Sequence, residues 1–177
     1  MNEAIKNGDE FIGYEYKEVA VKRDMESVYI DGYSNFGWIL DGSTSSDIGF
    51  AIVNLKFKRN RKIRNKAELT RLQRQFESNA KEIETLEQSK TTTAFTVALM
   101  VGLIGTAFLV GAIFALTHAE MIPLMMLLAV IGFAGWFLPY QLYKKIHAKK
   151  NTAVMPLIEQ QYDFIYEVCQ KAHALLT

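Results

Sequence analysis

Two long stretches of this chain, residues 93–116 and 121–140, contain no Asp, Glu, Lys or Arg, and only four residues separate them. No other feature restricts the fold as tightly. As helices, the 24-residue run would reach about 36 Å and the 20-residue run about 30 Å. Each length suffices for the roughly 30 Å hydrocarbon core of a bilayer. The connection Thr117, His118, Ala119 and Glu120 is too short for anything except an antiparallel helix pair. Pro123 falls in the first turn of the second helix, where its missing N–H costs little. Pro139 falls at the far end, where a kink or a stop is tolerated.

Basic residues set the expected orientation. Of the 20 Lys and Arg, 15 precede the first run and 5 follow the second, including Lys144, Lys145, Lys149 and Lys150, while the four-residue turn has none. Positive charge stays on the cytoplasmic side of a membrane, so both termini are expected there. Tyr140, Tyr143 and Trp136 suit an interfacial belt, and Trp136 suits packing between helices equally well. Neither the mean hydropathy of +0.04 nor the net charge of +1 reveals this, because both average a polar majority with one apolar block. The first ten residues, among them Asn2, Glu3, Lys6, Asp9 and Glu10, lack an apolar run of signal-peptide length, so the N-terminus is expected to be retained. Cys169 is the single cysteine, which excludes an intrachain disulfide and a cysteine-cluster metal site.

Outside the apolar runs, Leu69, Leu72, Phe76, Ile83 and Leu86 recur at helical spacing between residues 65 and 90. The spacing of three and four is that of a coiled coil, and a bend is expected at 89–93. Val154, Leu157, Ile158, Tyr162, Ile165, Tyr166, Cys169, Ala172, His173 and Leu176 form a matching stripe over 151–176, where Pro156 is acceptable only in a first turn. The two 26-residue segments, each about 39 Å long if helical, are expected to pair as an antiparallel stalk. The N-terminal part reads as a small α/β domain. Strands are expected at 14–21, 37–40 and 50–58, a short helix capped by Asp24 over 24–34, and a Ser- and Gly-rich hairpin loop at 41–47.

The expected fold is therefore a mainly α membrane protein with a two-helix transmembrane hairpin, an antiparallel cytoplasmic coiled-coil stalk and a small N-terminal α/β domain. Its segments are a flexible N-terminus (1–12), the α/β domain (13–64), a stalk helix (65–92), transmembrane helix 1 (93–116), an outer turn (117–120), transmembrane helix 2 (121–140), a basic inner flank (141–150) and a cytoplasmic amphipathic helix (151–177).

Three sets of residues are candidates for function. Ala98, Gly102, Ala107, Gly111, Gly132 and Gly135 are small residues at spacings that let membrane helices approach closely. Lys56, Lys58, Arg59, Arg61, Lys62 and Arg64 form a dense basic run that suits anionic lipid or nucleic acid. The preferred reading keeps that run in water, because an upright stalk holds it about 39 Å from the bilayer, far beyond a Debye length of about 8 Å. His118 and Glu120 could ring the mouth of a cation pore, although a turn between membrane helices has to be polar in any case. The spans hold no ionisable residue for a proton relay. No phosphate loop, metal-ligand pair or activated nucleophile is recognisable, so neither an enzyme nor a cofactor is expected.

The order of elements resembles the pore subunit of the mitochondrial calcium uniporter and, more distantly, the two-span magnesium channels. The uniporter's acidic motif with adjacent Trp and Pro and the magnesium channels' Gly-Met-Asn signature are absent, which leaves Glu120 as the one position carried over. The segment with Tyr29, Asp31, Tyr33, Phe36, Gly37 and Trp38 followed by the basic run is similar to small uncharacterised two-span membrane proteins of Gram-positive bacteria. That resemblance implies a bacterial inner membrane. The expectation is a non-enzymatic homo-oligomer or partner-binding scaffold in the lipid bilayer. A cation-pore subunit comes second, and a membrane-tethered binder of anionic lipid or, least favoured, nucleic acid comes third.

Overall fold

The computed structural model of the chain describes residues 12–45, 51–118 and 122–176. These residues are mainly helical (75%), with a small N-terminal three-stranded antiparallel sheet. They divide into two compact units, one made of the chain up to Glu82 together with Gln160 onward, the other Ile83–Glu159.

In the first unit, β1 (Tyr14–Lys22) leads through a single 3-10 turn, Arg23–Met25, into α1 (Glu26–Ser34). Met25 occupies the N-cap of α1, so Asp24 is not the cap expected from its residue type; it lies inside the preceding turn. Two more strands follow, β2 (Ile39–Ser45) and β3 (Ile52–Asn60). The sheet order is β1-β3-β2, and β3 is antiparallel to both neighbours, so β1 and β2 run parallel with α1 as their crossover. β2 covers much of the stretch expected as a loop. Its Ser- and Gly-rich composition lacks strand propensity, but pairing with β3 from Ile39 to Ser45, with a bulge between Leu40 and Gly42, overrides that.

β3 alternates strictly: Val53, Leu55, Phe57 and Arg59 are buried, whereas Lys56 and Asn60 are exposed. Period-two alternation of this kind places one face against a core. α1 covers that face, with Tyr33 stacked on Phe57 at a centroid distance of 4.6 Å. At Gly37, φ is +79°, a conformation that side-chain-bearing residues rarely adopt, and this turns the chain from α1 into β2.

α2 (Lys66–His118) and α3 (Ile122–Ala174) are each 53 residues long. Asn65, with φ +54°, sets the start of α2, and its carbonyl accepts the Leu69 N–H at 3.0 Å. The helix is continuous through 89–93, where no Gly or Pro interrupts it. α3 is continuous as well, with Pro139 and Pro156 both inside it. Pro156 is therefore not in a first turn, and the basic flank at 141–150 is helical. Each interior proline removes one backbone hydrogen bond. Buried Val154 and Ile158 flank Pro156, so packing on either side holds the helix together.

The first turns of α2 pack on the small domain. Phe76, fully buried, packs its ring against Tyr29, Tyr33 and Phe36 at 5.6, 5.9 and 5.7 Å. The stripe read from the sequence as a coiled-coil face thus roofs the small sheet. Residues 1–11, 46–50, 119–121 and 177 lie outside the described residues, and with them nearly all of the expected N-terminal tail and half of the outer turn.

Candidate functional site

The best-built polar feature lies where β1, α1 and α2 meet in the first unit. Strand alternation turns Lys17 toward the core, on the same side as Val19 and Val21, and helical spacing places Gln73 and Glu77 one turn apart. Glu77 Oε1 accepts from Lys17 Nζ at 2.6 Å, Tyr33 Oη at 2.7 Å and Gln73 Nε2 at 2.7 Å. Gln73 Oε1 in turn accepts from Trp38 Nε1 at 2.9 Å. Burial works to raise the Glu77 pKa, but the hydrogen bonds from Lys17, Tyr33 and Gln73 outweigh it and leave the carboxyl below its usual range. Burial, and then the adjacent Glu77 carboxylate, push the Tyr33 phenol well above its ordinary value. A carboxylate with three donors on one oxygen is an anchor for packing and a poor general base.

A second cluster forms around Arg59, which is 3% exposed. Its register partner across the sheet is Glu15, whose Oε1 accepts from Arg59 Nε at 2.6 Å and whose Oε2 binds Lys66 Nζ. Arg59 Nη1 also donates to the Phe36 carbonyl at 3.2 Å, and its guanidinium lies 4.3 Å from the Trp38 ring centroid. Burial opposes ionisation of Glu15, yet the bonds to Lys66 and Arg59 lower its pKa on balance.

These contacts place the residues of the basic run in different surroundings. Arg59 is internal and committed to Glu15. Lys58 pairs with Asp41 at 2.6 Å. Lys56 is exposed on the opposite sheet face from Arg59, and Arg61, Lys62 and Arg64 are exposed in the turn before α2. Strand alternation divides a feature that looks continuous in one dimension.

Beside this core, a groove of about 460 Å³ separates α1 from the end of α3. Val28, Asp31 and Asn35 line one side; Tyr162, Tyr166 and Cys169 line the other. Burial pushes the Cys169 thiol up to about 11, partly offset by a hydrogen bond with Asn35, which makes it a weak nucleophile near neutral pH.

In the second unit the two long helices meet through glycine. A Cβ on Gly135 would lie 2.6 Å from Gly105 Cα, and one on Gly132 would lie 2.6 Å from the Leu109 side chain. Gly102 faces Pro139 and Gly111 faces Leu128 more loosely, at 3.9 and 3.7 Å. Ala98 is half-buried, whereas Ala107 is exposed and points away from the partner helix. Gly105, buried and in contact with Gly135, is absent from the small-residue positions selected on sequence. Trp136 Nε1 donates to Thr106 Oγ1 on the other helix at 3.4 Å, while the residue stays 61% exposed. Thr96 and Thr106 hydroxyls each donate to the carbonyl four residues back. Of the candidate pore mouth, the His118 side chain and all of Glu120 lie outside the described residues.

Among the described residues no group of three or more His, Cys, Asp or Glu side chains could hold a metal, and every buried side-chain nitrogen or oxygen has a partner. Set against known proteins, the chain matches no family model, no curated protein and no solved structure.

Proposed function

We propose that this chain is a two-span integral membrane protein with both termini cytoplasmic, whose first unit is a non-enzymatic module for self-association or for binding a protein partner. One observation carries the membrane part. The most apolar 18-residue windows of α2 and α3 have mean hydropathies of 2.4 and 2.0, yet only 11% and 6% of them is buried. A core helix of a soluble protein would be mostly covered; here Val110, Ile113, Val130 and Phe137 are 61–79% exposed, a surface that lipid accommodates and water does not. The orientation rests on the concentration of Lys and Arg at the ends away from the outer turn.

The non-enzymatic reading of the first unit rests on the engagement of its buried carboxylates. Glu77 and Glu15 each hold two or more donors. The antiparallel coiled-coil pairing of 65–90 with 151–176 is supported by buried positions at intervals of three and four: Leu69, Leu72, Phe76, Ala80 and Ile83 on α2, Ile165, Val168 and Ala172 on α3.

Alkaline carbonate washing of membranes tests the first part: the chain stays in the pellet if it spans the bilayer and moves to the supernatant if it does not. Mass measurement in nanodiscs, with crosslinking of the first unit in cells, tests the second. A monomer that yields no crosslinked product contradicts the assembly role.

A further inference from the structure

We propose that the inner ends of the two spans form a binding site for anionic phospholipid headgroups, built from Lys90 and Lys150 in the helix seam and Lys144, Lys145 and Lys149 on its exposed flank. The site rests on the two-span reading above.

Lys90 is 6% exposed, and its ammonium reaches Glu87 Oε1 at 2.8 Å. The helix pair places a second lysine near it. Gly105 meets Gly135, and Leu109 meets Gly132, so the helices run antiparallel at that crossing. Fifteen residues from Gly105 toward the start of α2 is Lys90, and fifteen residues from Gly135 toward the end of α3 is Lys150, itself half-buried. Both lysines therefore sit at one level, about 22 Å from the glycine contact.

Charge at that level is one-sided. From residue 85 to 158 the acidic residues are Glu87 and Glu120 alone, and Glu120 belongs to the opposite end of the hairpin. Five lysines thus share one nearby carboxylate, which is engaged by Lys90. Like charges gathered in a partly covered seam call for a counter-anion. Exposed Thr91 and Thr92 bring hydroxyl donors to the same turn.

Depth selects a lipid as the source of that anion. His118 to Lys90 and Ile122 to Lys150 are each 28 residues, about 42 Å of helix, and Ile122 to Lys144 is 22 residues, about 33 Å. A bilayer core is about 30 Å thick, or 40–45 Å with its headgroups. The lysines therefore span the inner headgroup layer. Lys144 lies 5.4 Å from the Tyr140 ring centroid, and Tyr143 stacks on His147 at 5.8 Å, an aromatic lining suited to the same interface.

The test uses the full chain, purified in mild detergent from carbonate-washed membranes and incubated with equal amounts of phosphatidylglycerol and phosphatidylcholine, the retained lipid being read by native mass spectrometry. Each lysine near an anionic surface contributes on the order of a fivefold preference. Wild type is expected to retain phosphatidylglycerol at least fivefold over phosphatidylcholine. Lys90→Gln, which leaves Lys144, Lys145, Lys149 and Lys150 to fix orientation, should lower the ratio severalfold, and Lys90→Arg should keep it. Inorganic phosphate at millimolar concentration should not displace the lipid; displacement would overturn the assignment to a lipid headgroup. Equal retention of both lipids by membrane-integrated wild type overturns the site and leaves the two-span reading intact. Release of the chain by carbonate overturns the two-span reading itself.

Discussion

At the residue scale, Arg59 is the side chain that composition alone misassigns. Arg59 belongs by sequence to a basic run, and only its strand parity and its register opposite Glu15 show that it faces inward. Arg59→Ala should destabilise the first unit by about 2–3 kcal/mol, because it removes a buried guanidinium that bonds Glu15 and the Phe36 carbonyl and lies against Trp38. Arg61→Ala, at an exposed position, should stay within about 0.5 kcal/mol. Urea unfolding followed by Trp38 emission in a Trp136→Phe background measures both. Glu77 and Glu15 have pKa values below their unfolded values. A depressed carboxylate pKa contributes stability that is fully present above the unfolded value, near 4.3, and is lost as pH falls through the folded one. Trp38 emission should accordingly shift to the red on acidification below about pH 4, and Glu77→Gln should flatten that response while lowering stability at pH 7. Cys169, with its thiol raised to about 11, should react with maleimide at pH 8 on the order of a hundredfold more slowly than an unhindered cysteine.

At the element scale, the strongly periodic or strongly apolar parts are legible in the sequence. β1, the body of α1, the inward residues of β3 and the two charge-free runs all follow from spacing and composition. Three features are not legible, each for a physical reason. β2 forms from Gly, Ser and Thr because β3 offers it a ladder, which no local propensity reports. Pro139 and Pro156 sit inside α3, and at Pro156 the buried Val154 and Ile158 on either side offset the lost hydrogen bond. Gly105 is invisible because several small residues share the first span, and only the partner helix decides which of them faces it. The hairpin seam makes a prediction at this scale. Gly135→Val, with a Cβ forced against Gly105, should destabilise the helix pair by about 1–3 kcal/mol, while Ala107→Val on the exposed face should leave it within about 0.5 kcal/mol. Thermal unfolding in one detergent, followed by the far-ultraviolet helical signal, compares the two.

At the scale of the whole molecule, two continuous helices carry apolar, outward-facing surface over one part of their length and amphipathic surface over the rest. That pattern suits the two solvents that the proposed topology requires. The polar clusters around Glu77 and Arg59 hold the α/β fold of the first unit together, and the glycine contact joins the two helices of the second. Activity, on this view, resides in what the first unit binds and how copies assemble. The central claim is the two-span topology, and single-cysteine labelling tests it most directly. In a Cys169→Ala background, Thr117→Cys should react with a membrane-impermeant maleimide in intact cells, and Lys56→Cys should react only after the membrane is opened. Labelling of Lys56→Cys in intact cells, or of neither position until the membrane is opened, would contradict the account.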